Sequence, residues 1–156
     1  MPRSLSVIDY PISEIELELL RQLSIDGARF MLVGMMSAIL QGADGITRDI
    51  DLWFGTTSDG RLSRAARAVG GTFIWRADPP CLGGKDLRRI DLVNHMSGLG
   101  DFEVEYSNAI DCQVDDFIVK LLPIERILES KQAAARPKDV AAIPSLMALI
   151  KSKEYL

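Results

Sequence analysis

The run Thr47-Arg48-Asp49-Ile50-Asp51-Leu52-Trp53-Phe54 constrains the fold of this chain more than any other stretch. Side chains on a strand alternate between faces, so Asp49 and Asp51 point one way while Ile50 and Leu52 point the other, into a core. Two carboxylates at that spacing, on a strand too apolar to lie at the surface, repel each other and resist desolvation. A cation between them relieves both costs, so the economical reading is a divalent metal site. The competing reading makes them turn or ion-pair residues beside Arg48. Later in the chain, Asp91 stands between Ile90 and Leu92 in a second apolar run, Leu87 to Asn94. The same period of two puts Arg89 on the side of Asp91, where a guanidinium holds the carboxylate ionised when no metal is bound.

The surrounding pattern alternates helices and strands. Residues 13 to 26 predict a helix: Ser13 caps it, Glu16 completes a capping box, and Ile15, Leu19, Leu20 and Leu23 form an apolar stripe. Arg29 to Val33 predicts a strand that runs through Gly34 into a short helix, Met35 to Gln41. Such a junction presents backbone N–H groups where a phosphate can be held. Gly55 to Gly60 reads as a turn, and Arg61 to Val69 as a helix closed by Gly70-Gly71. On that helix Arg61, Arg64 and Arg67 share a face, either solvated or in contact with phosphate. Thr72 to Arg76 is a β-type run, after which Pro79-Pro80 and Gly83-Gly84 bracket a predicted loop.

Downstream, Asp101 to Asn108 predicts a helical turn, and Ile110 to Leu122 one or two strands with Asp115-Asp116 between them. Pro123 opens a helix over Ile124 to Ala135, and Pro137 starts another that runs to about Lys151 with a bend at Pro144. Trp53 and Trp75 fall in strand-like runs, so core packing is expected of both, with base stacking the alternative for Trp75. His95 is expected to be a partly exposed loop residue rather than a catalytic base.

These elements predict an α/β (α+β) fold, a mixed β-sheet of roughly four to six strands flanked by helices, with the acidic cluster on an exposed edge. With 156 residues, 47% of them hydrophobic and 26% charged, the chain suits a single globular domain over residues 1–156. Its core is expected over about residues 28–122, followed by C-terminal helices over about 123–152. A net charge of −4 argues against the broad basic face of a non-specific nucleic-acid binder. Cys81 and Cys112 match neither a disulfide framework nor a zinc spacing. No apolar run is long enough to cross a bilayer and no secretory n-region and h-region stand at the start, so a cytoplasmic location and no membrane partner are expected.

Taken together, Gly34, the Thr47-to-Leu52 run, Arg89-Ile90-Asp91-Leu92 and the stretch Leu128-Glu129-Ser130-Lys131 with Ala135-Arg136-Pro137-Lys138-Asp139 resemble the minimal nucleotidyltransferases of the DNA polymerase beta superfamily. The last stretch is similar to the branch that includes toxins of abortive-infection and toxin–antitoxin systems. The resemblance runs from about residue 28 to 142. It implies that Asp49, Asp51 and Asp91 hold magnesium or manganese and that Lys131 neutralises charge on a nucleoside triphosphate. Gly34, Ser37, Thr47, Arg48, Arg136, Lys138 and Asp139 would complete a nucleotide site. The implied reaction moves a nucleoside monophosphate onto a hydroxyl of RNA, protein or a small molecule, with a cognate antitoxin as a partner. Where the family has Gly-Gly or Gly-Ser, Met35 follows Gly34. The alternative is therefore a protein of this fold that binds a nucleotide or a protein partner without turnover.

Overall fold

The computed structural model describes residues 3–5 and 11–154; residues 1–2, 6–10 and 155–156 of the expected 1–156 domain lie outside the described residues. In chain order the first half comprises β1 (Arg3–Leu5), α1 (Glu14–Ile25), β2 (Phe30–Val33), α2 (Gly34–Leu40), β3 (Asp49–Phe54) and α3 (Arg61–Ala68). There follow β4 (Thr72–Ile74), β5 (Cys81–Gly84), β6 (Leu87–Val93), α4 (Phe102–Ser107), β7 (Ile110–Val114) and β8 (Phe117–Leu121). Two helices, α5 (Ile124–Ala134) and α6 (Pro137–Lys153), close the chain. Among the described residues, no helix is long and apolar enough to cross a membrane.

The eight strands among the described residues join one mixed sheet in the order β1-β7-β8-β2-β3-β6-β5-β4. Strand β2 is buried at every residue because it is covered on both faces. It pairs antiparallel with β3, Val33 opposite Asp51, and β3 pairs parallel with β6, Ile50 opposite Ile90 and Leu52 opposite Leu92. The period of two sorts these strands onto two cores. Leu32, Ile50, Leu52, Ile90 and Leu92 pack with Leu19, Leu20 and Leu23 of α1 and Leu62 of α3. Met31, Val33 and Trp53 pack on the opposite face with Ile124 and Ile127 of α5 and Leu146 of α6. Each such Leu or Ile removed from water stabilises the fold by about 1.5–3 kcal/mol.

Local chemistry sets the ends of the helices. Ser13 Oγ accepts from Glu16 N while Glu16 Oε1 accepts from Ser13 N at 2.9 Å, the capping box expected for α1. Glu16 is buried and also takes the Arg88 guanidinium at 2.7 Å, which fastens α1 to β6. Helix α6 runs through Pro144 without interruption.

Three expectations fail. The sheet holds eight described strands rather than four to six, because short strands such as Arg3–Leu5, Thr72–Ile74 and Cys81–Gly84 add to it. Residues Cys81–Gly84 form a strand rather than a loop: the prolines precede it, and the glycine pair falls at its end, where the register against β6 shifts. The acidic strands are also interior, not at an edge, since β5 and β4 lie beyond β6. An edge strand needs no apolar cover on both faces, whereas Ile50, Leu52 and Trp53 of β3 are all buried.

Candidate functional site

Parallel pairing of β3 with β6 sets Asp51 directly opposite Asp91, and Asp49 opposite Arg89. Neighbouring strands lie about 4.8 Å apart. One carboxylate oxygen from each of Asp49, Asp51 and Asp91 accordingly falls within 4.8 Å of the others. Arg89 Nε donates to Asp91 Oδ1 at 2.5 Å, as the alternation predicts. Thr47 Oγ1 donates to the Asp49 carbonyl at 3.0 Å and reaches Asp49 Oδ1 at 3.2 Å, fixing the entry to β3.

Gly34, the first residue of α2 after β2, closes the site. Its φ of +64° is a left-handed conformation, and a Cβ added there would collide with Asp51 Oδ2. The role of this glycine is thus to let the Asp51 carboxylate lie against backbone. Burial, then the charges of Asp49 and Asp91, push the Asp51 carboxyl up to about 7, with Lys131 opposing them. The proton that this buried carboxyl keeps near neutrality is what a cation bound by the cluster would displace. Three carboxylates offer only hard oxygen donors, which suits magnesium or manganese and not softer metals.

Across from the acids stands a basic wall built by the α5–α6 junction. Lys131 Nζ donates to Asp139 Oδ1 at 3.1 Å, and Arg136 Nε donates to Asp139 Oδ2 at 2.6 Å. Asp139 is fully buried; desolvation works to raise its pKa, but the hydrogen bonds from Arg136 and Lys131 outweigh it and hold the carboxyl below its usual value. Its Oδ2 also accepts from Arg136 N, the first-turn contact that starts α6 after Ala135 has turned the chain with a φ of +53°. A cavity of about 880 Å³ connects the two walls, lined by Gly34, Asp51, Asp91, Lys131, Arg136, Lys138 and Asp139 together with residues from three loops.

Three of the expected nucleotide contacts stand elsewhere. Ser37, one turn along α2, is fully buried and donates to the Leu122 carbonyl at 2.9 Å, so it ties α2 to the end of β8 rather than facing a ligand. Arg48 is exposed and outside the cavity wall. Thr47 is likewise outside the wall, its hydroxyl committed to Asp49. Met35 is half-buried against the core cluster of Met31, Val33 and Trp53, away from the cavity that Gly34 lines.

Other wall residues were not singled out by motif. Phe54 to Ser58, Asp78 to Pro80 and Asn94 to Ser97 line the cavity. They lie in segments where glycine, proline and small polar residues announce turns but not where those turns point. His95 is exposed in the last of these loops, as expected of a loop residue. Trp53 is buried as expected, but Trp75 is 57% exposed at the cavity, because β4 ends at Ile74 and the next residue begins a turn.

No family model and no curated protein sequence matches the chain. Its structure is similar to that of ANT(2")-Ia, an aminoglycoside nucleotidyltransferase, solved in complex with adenylyl-2"-tobramycin. The two share 14% identity at a TM-score of 0.59, over 90% of this chain and 91% of that one. A mixed sheet flanked by six helices, matched over nearly the whole of both chains, gives this protein a nucleotidyltransferase-like fold.

Proposed function

We propose that the protein is a metal-dependent nucleotidyltransferase that moves a nucleoside monophosphate from a nucleoside triphosphate to a hydroxyl group. The observation that supports this most is a cluster of three carboxylates within 4.8 Å of one another, two of which, Asp51 and Asp91, line the same cavity as the basic cluster of Lys131, Arg136 and Lys138. Asp49, Asp51 and Asp91 would hold magnesium or manganese, which when bound supplies positive charge for the phosphate oxygens of the reaction. Lys131 and Arg136, held in place by Asp139, bind the anionic triphosphate and offset charge on the leaving group. The acceptor oxygen attacks the α-phosphorus, the bond to the bridging oxygen breaks, and pyrophosphate leaves with the electron pair. The hydroxyl proton passes to Asp91, whose other oxygen stays paired with Arg89.

The resemblance leaves the acceptor open among RNA, protein and a small molecule, with a toxin role and a cognate antitoxin on the toxin-type branch. The structural neighbour was solved with an adenylylated aminoglycoside, which favours the small molecule. The alternative without turnover rests on crowding by Met35; that side chain is half-buried against the core, which favours the reading with turnover. Incubation with each labelled nucleoside triphosphate, magnesium and candidate acceptors tests the proposal. It predicts label transfer that Asp51→Asn abolishes; transfer that survives Asp51→Asn would contradict it.

A further inference from the structure

The cavity has a second wall that the roles above leave unused. It begins at Trp75, whose ring stacks on Phe73 with centroids 4.7 Å apart and 16° between planes. An indole more than half exposed and steadied by a neighbouring ring adds little to the core, and it offers a flat apolar platform beside the acids. From Trp75 the chain continues through Asp78 to Pro80, and this segment is tied to the Asp91 strand. Pro80 O accepts from Leu92 N at 2.8 Å, and Pro79 O accepts from Arg89 Nη2 at 3.3 Å.

Charge divides the cavity. The lysine and arginine side chains that line it, Lys131, Arg136 and Lys138, all belong to the α5–α6 side. The rest of the lining carries hydroxyls, an amide, an imidazole and a carboxylate, among them Thr56, Ser58, Asn94, His95 and Asp78. A polyanionic triphosphate is matched by the first wall, so an acceptor hydroxyl must come in from the other, across the three aspartates. An acceptor bearing phosphates would there face Asp78 and the acidic cluster with no lysine or arginine in that part of the lining to release its counterions. A sugar ring meets the opposite conditions. Its C–H face covers the indole, and its rim hydroxyls match the carboxylate, amide and hydroxyl groups. An amino substituent adds attraction to the indole face and to Asp78.

We propose that this wall is the acceptor subsite and that it takes a polyhydroxylated ring, neutral or cationic, seated on Trp75. The inference rests on the nucleotidyl-transfer reading and names its acceptor class. Trp53 is the other tryptophan, buried with no hydrogen-bond partner for its Nε1, so Trp53→Phe leaves Trp75 as the fluorescent reporter at little polar cost. In that background, with magnesium and a non-hydrolysable triphosphate present, a glucosamine disaccharide, a glucose disaccharide and a single-stranded oligoadenylate are titrated.

The expected result is saturable change in Trp75 emission with at least one disaccharide and none with the oligoadenylate. Calorimetry should show that disaccharide binding weakened roughly tenfold by Trp75→Ala and by Asp78→Asn, with the thermal shift caused by magnesium and triphosphate retained. Saturation by the oligoadenylate, or by none of the three, overturns the proposal. So does a Trp75→Ala variant that loses the nucleotide shift, because Trp75 would then hold the nucleotide base. A wild-type protein with no nucleotide shift sinks the transfer reading itself, which keeps the two failures apart.

Discussion

Asp51 and Gly34 meet at the closest approach in the site, and each explains the other. The carboxylate lies where a Cβ of residue 34 would be, and residue 34 has a φ that disfavours a side chain. Gly34→Ala is therefore expected to cost about 1–2 kcal/mol from backbone conformation, more from the displaced Asp51, and to weaken magnesium binding; denaturant unfolding and calorimetry measure the two effects. Asp51 also fixes a pH dependence. Its carboxyl is raised from 3.8 to about 7 in the native state. Between those values the folded protein holds a proton that the unfolded chain has lost, so this residue's contribution falls as pH rises and is fully lost above about 7. Asp51→Asn removes that penalty and should raise the melting temperature of the metal-free protein at pH 8 relative to wild type, while leaving the two nearly equal at pH 4. Magnesium binding to wild type should release a proton below pH 7 and tighten as pH rises to that point, as titration in buffers of different ionisation enthalpy would show.

At the scale of elements, the α5–α6 junction does for the basic wall what the β3–β6 pairing does for the acids. Asp139 accepts from Lys131, from the Arg136 guanidinium and from Arg136 N, so one buried carboxylate fixes two cations and the start of a helix. Asp139→Asn is expected to lower stability by about 1–3 kcal/mol and to weaken triphosphate binding more than magnesium binding, read by unfolding and by separate calorimetric titrations. Asp139 was legible in the sequence by its place after Pro137; its burial was not, because burial depends on α5 packing back over α6. The same contrast holds elsewhere. Alternation placed Asp49, Asp51, Arg89 and Asp91 correctly, since a strand's period needs no knowledge of its partners. It did not reveal that β5 and β4 extend the sheet past β6, because Cys81–Gly84 is a short strand bounded by prolines and ending in glycines. Ser37 was misplaced for a related reason: position along a short helix does not say which neighbouring strand end the hydroxyl will meet.

For the molecule as a whole, the net charge of −4 hides a separation of charge across one cavity. Acids on the central strands confront bases on the last two helices, and among the described residues no ion pair joins the two groups: Asp91 is paired with Arg89, and Lys131 and Arg136 with Asp139. A ligand carrying both a cation and a polyanion joins the two walls, so magnesium and triphosphate together should raise the melting temperature more than the sum of their separate effects. The sheet order that creates this arrangement could not be read from the chain, since it depends on pairings between strands far apart in sequence, such as Asp51 with Asp91 and Leu32 with Leu121. The most direct test is manganese binding followed by electron paramagnetic resonance, with and without a non-hydrolysable nucleoside triphosphate, in wild type and Asp51→Asn. The account predicts that bound manganese increases when nucleotide is added to wild type and is lost in the variant. Equal binding by the two proteins, or binding indifferent to nucleotide, would contradict it.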